Sequence, residues 1–272
     1  MTEKLTERPI GILDSGLGGL TLVREMERLL PCENIVYFGD NSNCPYGNRP
    51  EEEILELSSA MLDFMRGKNV KAAAIACNTI SAIAGRLRER YEFPIVSIIE
   101  AACENTAGME LSKIAVFATE FTIRQGLYEK LLRRIRPEIE VLGFPSRTLA
   151  ALIDSGRFDD SATETEVKTL LRRLSESAPD VRHVVLGCTH YPIVGELFEK
   201  SAPDINFINP ARAQAGAIKK LLSERGLLSG SPRPKLNIYT SGEKTLYETA
   251  LKKLAIGRGA KIKERHSCQK SR

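Results

Sequence analysis

The sequence predicts an α/β protein of two pseudo-symmetric lobes, each a mostly parallel sheet flanked by helices, with the active site in the cleft between them. Three observations predict it. Short apolar runs alternate with amphipathic stretches of helical spacing along most of the chain, the pattern of βαβ units. The alternation begins again beyond Glu100. Two segments of one design, Ala73-Ala74-Ile75-Ala76-Cys77-Asn78-Thr79 and Val184-Val185-Leu186-Gly187-Cys188-Thr189-His190, each run an apolar stretch into a cysteine followed by a threonine.

Pro9-Ile10-Gly11-Ile12-Leu13 is a strand ending at Asp14, followed by the loop Ser15-Gly16-Leu17-Gly18-Gly19 and a helix over Leu20 to Leu30. Ile35 to Phe38 is the next strand; a polar loop through Pro45-Tyr46-Gly47 leads to a helix over Glu51 to Arg66, with acidic residues in its first turn. A strand over Val70 to Ala76 delivers Cys77, a helix spans Ile80 to Tyr91, and Pro94 to Ile98 is a fourth strand. The second half repeats this. Ile114 to Ala118 is a strand, Thr119 opens a helix to about Arg134, and Ile139 to Phe144 is a strand. Shorter helices lie around 148–154 and 164–177, and Val181 to Gly187 is the strand that delivers Cys188. Tyr191-Pro192 turns into another helix. Ile205 to Ile208 and Leu236 to Thr240 are strands, and Ala211 to Leu222 and Glu243 to Leu254 are helices. In such a sheet, functional residues collect at the carboxyl ends of strands.

At 272 residues and 42% hydrophobic composition the chain can bury a substantial core. No stretch reaches the roughly 18 apolar residues of a membrane span, and Met1-Thr2-Glu3-Lys4 opens no signal-peptide core, so the expectation is a cytoplasmic protein with no membrane partner. The six cysteines are dispersed, with no Cys-x-x-Cys pair, which fits a reducing compartment. The formal charge is +4, but Lys252 to Arg272 holds eight Lys/Arg against Glu264 alone, so the rest of the chain is net acidic. Residues 255–272 are expected to form a flexible basic tail. It leaves nucleic acid open as a partner, although a solvated terminus is the commoner reading.

The glycine loop after Asp14 fails as a dinucleotide fingerprint, because Thr21 stands where the third glycine is required, and no P-loop lysine follows. It leaves an acid and a hydroxyl, Asp14 and Ser15, at a strand end. Cys77 and Cys188 carry more information. One cysteine after an apolar run is ordinarily a small core residue. Two, each at a strand end beside hydrogen-bonding side chains and a helix N-terminus, point to reactive thiols, and that position is expected to lower the thiol pKa. Metal binding is the weakest use of them, since Cys188-x-His190 lacks a second half-site and only three histidines exist; no metal is expected. A nucleophile at Cys188 with His190 as its base leaves Cys77 unexplained. Two thiols on opposite faces of one carbon explain both, one removing a proton and the other supplying one. That chemistry is racemisation or epimerisation. A general base contributes only about 10²- to 10⁴-fold, so donors must stabilise the carbanion-like transition state. Ser15, Asn78, Thr79, Thr119, Thr122, Thr189 and the backbone at Tyr46-Gly47 are the candidates, each also readable as an ordinary cap.

Asp14-Ser15-Gly16-Leu17-Gly18-Gly19, Tyr37-Phe38-Gly39-Asp40, Pro45-Tyr46-Gly47, Ala76-Cys77-Asn78-Thr79, Ile99-Glu100 and Leu186 to Pro192 together resemble the glutamate racemases, in order, over nearly the whole folded chain. The resemblance implies a cofactor-independent enzyme interconverting L- and D-glutamate for peptidoglycan. Cys77 would act on the D side with Asp14 assisting, and Cys188 on the L side with His190 assisting. Ser15, Pro45, Tyr46, Gly47, Asn78, Thr79, Thr119, Thr122 and Thr189 would hold the substrate's carboxylates and ammonium. It further implies a homodimer with glutamate as its small-molecule partner, a first lobe of residues 1–98 plus 210–254, and a second of 99–209. Departures from the family pattern fall at Asn41-Ser42-Asn43-Cys44, where Thr-Ala-Arg-Val is usual, at Gly143 to Arg147 and at Asn209-Pro210. Another falls at Leu152-Ile153-Asp154-Ser155-Gly156, where Val-Glu-Glu-Gly is common and Asp154 becomes the possible auxiliary carboxylate. The alternatives are a racemase of aspartate or another amino acid, and a catalytically weakened relative that binds DNA or protein.

Overall fold

The computed structural model describes residues 4–257 and 259–265. Its first half runs β1 (Ile10–Asp14), α1 (Leu20–Leu29), β2 (Ile35–Gly39), α2 (Glu51–Gly67), β3 (Ala72–Ile75), α3 (Asn78–Ser81), α4 (Ala84–Arg88), β4 (Ile95–Ser97) and α5 (Ile98–Ala107). The alternation then restarts with β5 (Lys113–Thr119), α6 (Glu120–Gln125), α7 (Leu127–Ile135), β6 (Glu140–Ser146), α8 (Leu149–Asp154), α9 (Ser161–Ser177) and β7 (His183–Leu186). The remainder is α10 (Gly195–Ser201), β8 (Asn206–Ile208), α11 (Pro210–Glu224), β9 (Leu236–Thr240), α12 (Lys244–Leu254) and β10 (Lys261–Glu264).

The strands form two sheets, ordered β10-β9-β2-β1-β3-β4 and β6-β5-β7-β8, and every neighbouring pair is parallel. β1, β2 and β3 are buried along their whole length, which is why they read as unbroken apolar runs rather than as alternating patterns. The order β2-β1-β3-β4 recurs as β6-β5-β7-β8, so the two-fold organisation is topological and β3 corresponds to β7. In each sheet the chain leaves the central strand in opposite directions, opening a crevice at the carboxyl ends of β1 and β3, and of β5 and β7. Asp14 and Cys77 lie at the first crevice, Thr119 and Cys188 at the second. α5 and α11, which follow the equivalent strands β4 and β8, pack against each other. A shared apolar core runs from Ile12 and Leu20 through Ala215 and Tyr247 to Phe117, Leu186 and Tyr191.

Four elements differ from the sequence expectation. Residues 255–272 are not wholly a tail: Lys261–Glu264 add β10 to the edge of β9, Ile262 packs against the core, and Arg265 N–H donates to Thr240 O at 2.7 Å. Its lysines alternate with Ile262, and that single apolar position was hidden by the charge run. Arg258 and residues 266–272, including His266 and Cys268, lie outside the described residues. The helix expected over Ile80 to Tyr91 is the pair α3 and α4. The helix expected from Thr119 to Arg134 is broken at Gly126, whose φ of 62° closes α6. α5 starts where strand was expected to end, because Ser97 caps it by accepting from Glu100 N–H at 3.5 Å.

Candidate active site

Cys77 and Cys188 follow the equivalent strands β3 and β7 and line one cavity between the two sheets. Both are buried. Cys77 Sγ lies 3.4 Å from Ser15 Oγ, and Cys188 Sγ lies 3.7 Å from His190 Nδ1. The expected lowering of the thiol pKa does not hold at Cys77. Burial pushes it up to about 12, the charge on Asp14 adds to the rise, and the hydrogen bonds from Ser15 and the α3 backbone offset only part. Desolvation of the anion outweighs the local donors here.

Asp14 closes β1 with no solvent exposure and accepts from Gly16 N–H at 3.0 Å and from Thr189 Oγ1 at 3.1 Å. Burial raises its pKa to about 6, against the opposing pull of His190, Gly16 and Thr189. Its carboxylate therefore links the end of the first sheet to the Cys188 loop. Gly16 and Gly18 permit this approach. A Cβ at Gly16 would collide with the Asp154 carboxylate, and one at Gly18 would stand 2.5 Å from Thr189 Oγ1.

Asp154, at the end of α8, meets His190 Nε2 at 2.8 Å. It also accepts from Leu17 N–H at 3.0 Å, and both its oxygens accept from Asn41 Nδ2, Oδ1 at 3.1 Å and Oδ2 at 3.0 Å. Asn41 Oδ1 in turn accepts from Tyr247 at 2.6 Å and Thr240 at 3.1 Å. Burial works against the charge on each partner, but the mutual hydrogen bond prevails: Asp154 is held below the usual carboxylate range and His190 well above the usual imidazole range. Both shifts favour the charged forms of the pair, and the other ring nitrogen of His190, Nδ1, faces Cys188 Sγ. The Asn41 departure thus supplies the donors that hold the shorter acid at the Asp154 departure.

Ser15, Pro45, Tyr46, Gly47, Asn78, Thr79, Thr119, Thr189 and His190 line the same cavity as the two thiols. The Cys44–Pro45 peptide is cis, and Tyr46 is fixed by donating to Asp40 Oδ2 at 2.7 Å. Asp14 and Asp154 stand behind the lining residues. So does Thr122, whose hydroxyl meets Thr119 Oγ1 at 3.0 Å. Two further participants, Cys44 and Asn41, were marked in the sequence only as departures from the family pattern, and a third, Tyr128, carried no signal there. Cys44 lines the cavity, where burial pushes its thiol pKa far up and Asp154 adds to the rise; Asn41 anchors Asp154; and Tyr128 reaches Asn78 from α7. Among the described residues, no group of three or more His, Cys, Asp or Glu is placed to hold a metal ion. No helix among them is long and apolar enough to cross a membrane.

The fold and site define a class: a two-lobed parallel α/β protein that presents a thiol from each lobe to one buried cavity. The family model Asp/Glu/Hydantoin racemase matches residues 10–218. A glutamate racemase of Carboxydothermus hydrogenoformans is 37% identical over 246 residues, covering 90% of this chain and 89% of the relative. The crystal structure of a glutamate racemase isoform from Bacillus anthracis superposes with a TM-score of 0.87 at 30% identity, covering 96% of this chain and 99% of that one. A glutamate racemase from Francisella tularensis, solved in complex with D-glutamate, gives 0.85 at 30% identity over 96% and 98% of the two chains. The chain belongs to the Asp/Glu/hydantoin racemase family.

Proposed function

We propose that the protein is a cofactor-independent glutamate racemase that interconverts L- and D-glutamate, supplying D-glutamate for peptidoglycan. The observation that carries this reading is the pair of thiols presented to one cavity from topologically equivalent strands. In the L-to-D direction Cys188, as thiolate, removes the α-proton, and Cys77, as thiol, returns one to the opposite face of the planar carbanion. The pair starts with one proton and ends with one, on the other sulfur. Cys77, with its pKa pushed up to about 12, is a thiol at neutral pH and so stands ready as this acid. His190, held as imidazolium by Asp154, lies within reach to exchange a proton with Cys188. For the D-to-L direction Cys77 must be the thiolate, and the ammonium group of a bound amino acid supplies the positive charge that would lower its pKa.

Ser15, Asn78, Thr79, Thr119, Thr189 and the Tyr46–Gly47 backbone are the substrate contacts of this reading, with Pro45 shaping their loop and Thr122 supporting Thr119. We assign residues 1–98 and 210–254, together with β10, to the lobe of Cys77, and 99–209 to that of Cys188. Sheet membership supports the division. A homodimer is proposed from the family resemblance, and a cytoplasmic setting because both thiols must stay reduced. The Glu-named relatives favour glutamate over aspartate, and retention of both cysteines disfavours a non-catalytic binding protein.

Incubation with L-glutamate in deuterated water, without added cofactor, is expected to yield D-glutamate carrying α-deuterium. Cys77→Ala and Cys188→Ala are each expected to abolish racemisation. Failure of exchange from both enantiomers would overturn the activity, and normal turnover by either variant would overturn the two-base assignment. A panel of amino acids separates glutamate from aspartate.

A further inference from the structure

Asn78 follows Cys77 directly, is almost wholly buried and lines the cavity. Its Oδ1 accepts from the Tyr128 hydroxyl at 2.8 Å, whereas its Nδ2 has no protein partner. Tyr128 belongs to α7 beside the second sheet, so this bond crosses from one sheet's helices to the other's. The same ring packs against the residue before the other thiol: a Cβ at Gly187, which precedes Cys188, would stand 3.2 Å from Tyr128 Cε2.

The orientation of the amide follows from what the phenol needs. Burial raises the Tyr128 pKa well above the usual phenol range, so the hydroxyl keeps its proton and requires an acceptor. Asn78 Oδ1 supplies it. With the amide turned over, Nδ2 would face the phenol oxygen, the phenol proton would lose that acceptor, and a carbonyl would point into the cleft. Losing a buried partner in this way is costly. Asn78 is therefore locked with its N–H donors toward the substrate space.

We propose that Tyr128 is a positioning residue that fixes Asn78 as a donor to a substrate carboxylate, and not to its ammonium group, while holding the Cys77 and Cys188 loops in register. The assignment of the ligand rests on the racemase reading; the lock on the amide does not.

The test is a kinetic double-mutant cycle on the full chain with L-glutamate as substrate. Tyr128→Phe keeps the ring and removes only the hydroxyl. It is expected to raise KM about 10-fold, the scale of one lost hydrogen bond, with a smaller change in kcat and an unchanged fold by circular dichroism. Asn78→Ala is expected to raise KM at least as much, and the double variant no more than Asn78→Ala alone, since Tyr128 acts through Asn78. Effects that multiply, or an unchanged KM in Tyr128→Phe, would overturn the proposal. The amide lock has its own readout. In nitrogen-15 spectra of the substrate-free protein, the Asn78 side-chain resonances, assigned by their loss in Asn78→Ala, are expected to shift or broaden in Tyr128→Phe. If they do not move, the lock is refuted even in an active enzyme. If they move in a protein that does not racemise glutamate, the lock stands and the substrate reading fails.

Discussion

At Asp14 a carboxyl group is buried between the backbone of Gly16 and the hydroxyl of Thr189, and its pKa is pushed up to about 6. An unfolded chain releases this proton near the ordinary value of 3.8. Between those values the native protein holds a proton that the unfolded chain has lost. Stability associated with Asp14 is thus present below about pH 4 and is lost as pH rises through about 6, on the order of 3 kcal/mol. Asp14→Asn lacks the titration. Urea denaturation is expected to show the variant gaining on the native protein between pH 4 and pH 7.5, even as its racemisation falls; parallel pH dependences would refute the buried-acid account. The same residue illustrates why the site tolerates such a cost. A carboxylate poised near pH 6 beside a cleft is suited to sensing the charge of a bound amino acid and of Cys77.

Gly126 is the element that sets how the helices after β5 meet the site. Its positive φ of 62° ends α6 and lets α7 begin in a new direction, two residues before Tyr128. A Cβ there would approach nothing nearer than Lys130 Cε at 4.0 Å, so the demand is on backbone conformation and not on space. Gly126→Ala is expected to destabilise the protein by about 1 kcal/mol, the cost of a left-handed conformation for an L-residue. The check is a lowered urea midpoint with an unchanged slope. A periodicity count runs straight through this position, because the apolar spacing on either side of Gly126 is compatible with one continuous helix. The division of the Ile80 to Tyr91 stretch into α3 and α4 escaped for the same reason. β10 escaped because its charges, Lys261, Lys263 and Glu264, mask an edge strand that exposes one face and one side to water.

On the scale of the whole molecule, a buried ion pair ties together segments distant in sequence. Lys71 Nζ, just before β3, meets Glu33 Oε2 at 2.5 Å, Thr6 O at 2.6 Å and Leu227 O at 2.8 Å, and Glu33 also accepts from Ser229 N–H at 2.8 Å. Neither side chain is appreciably exposed. Lys71→Ala leaves the buried Glu33 without its ion-pair partner, and is expected to cost about 3–5 kcal/mol in denaturant titration; a loss below about 1 kcal/mol would show that the pair does not hold these segments. The strands other than β10, the two-fold organisation and the thiols were readable from the amino acids alone, since buried parallel strands are continuous apolar runs and functional residues follow them directly. The sequence by itself therefore pointed to the residues that line the cavity from each strand end, Ser15, Cys77, Asn78, Thr79, Thr119, Cys188, Thr189 and His190, and to Asp14 behind them. Only the tertiary structure decided how they pair. Thr189 with Asp14, Asn41 with Asp154 and Tyr128 with Asn78 are joined across 175, 113 and 50 residues respectively. Only it decided that Cys77 is a thiol of raised pKa, because desolvation depends on everything packed around a group and not on its neighbours along the chain.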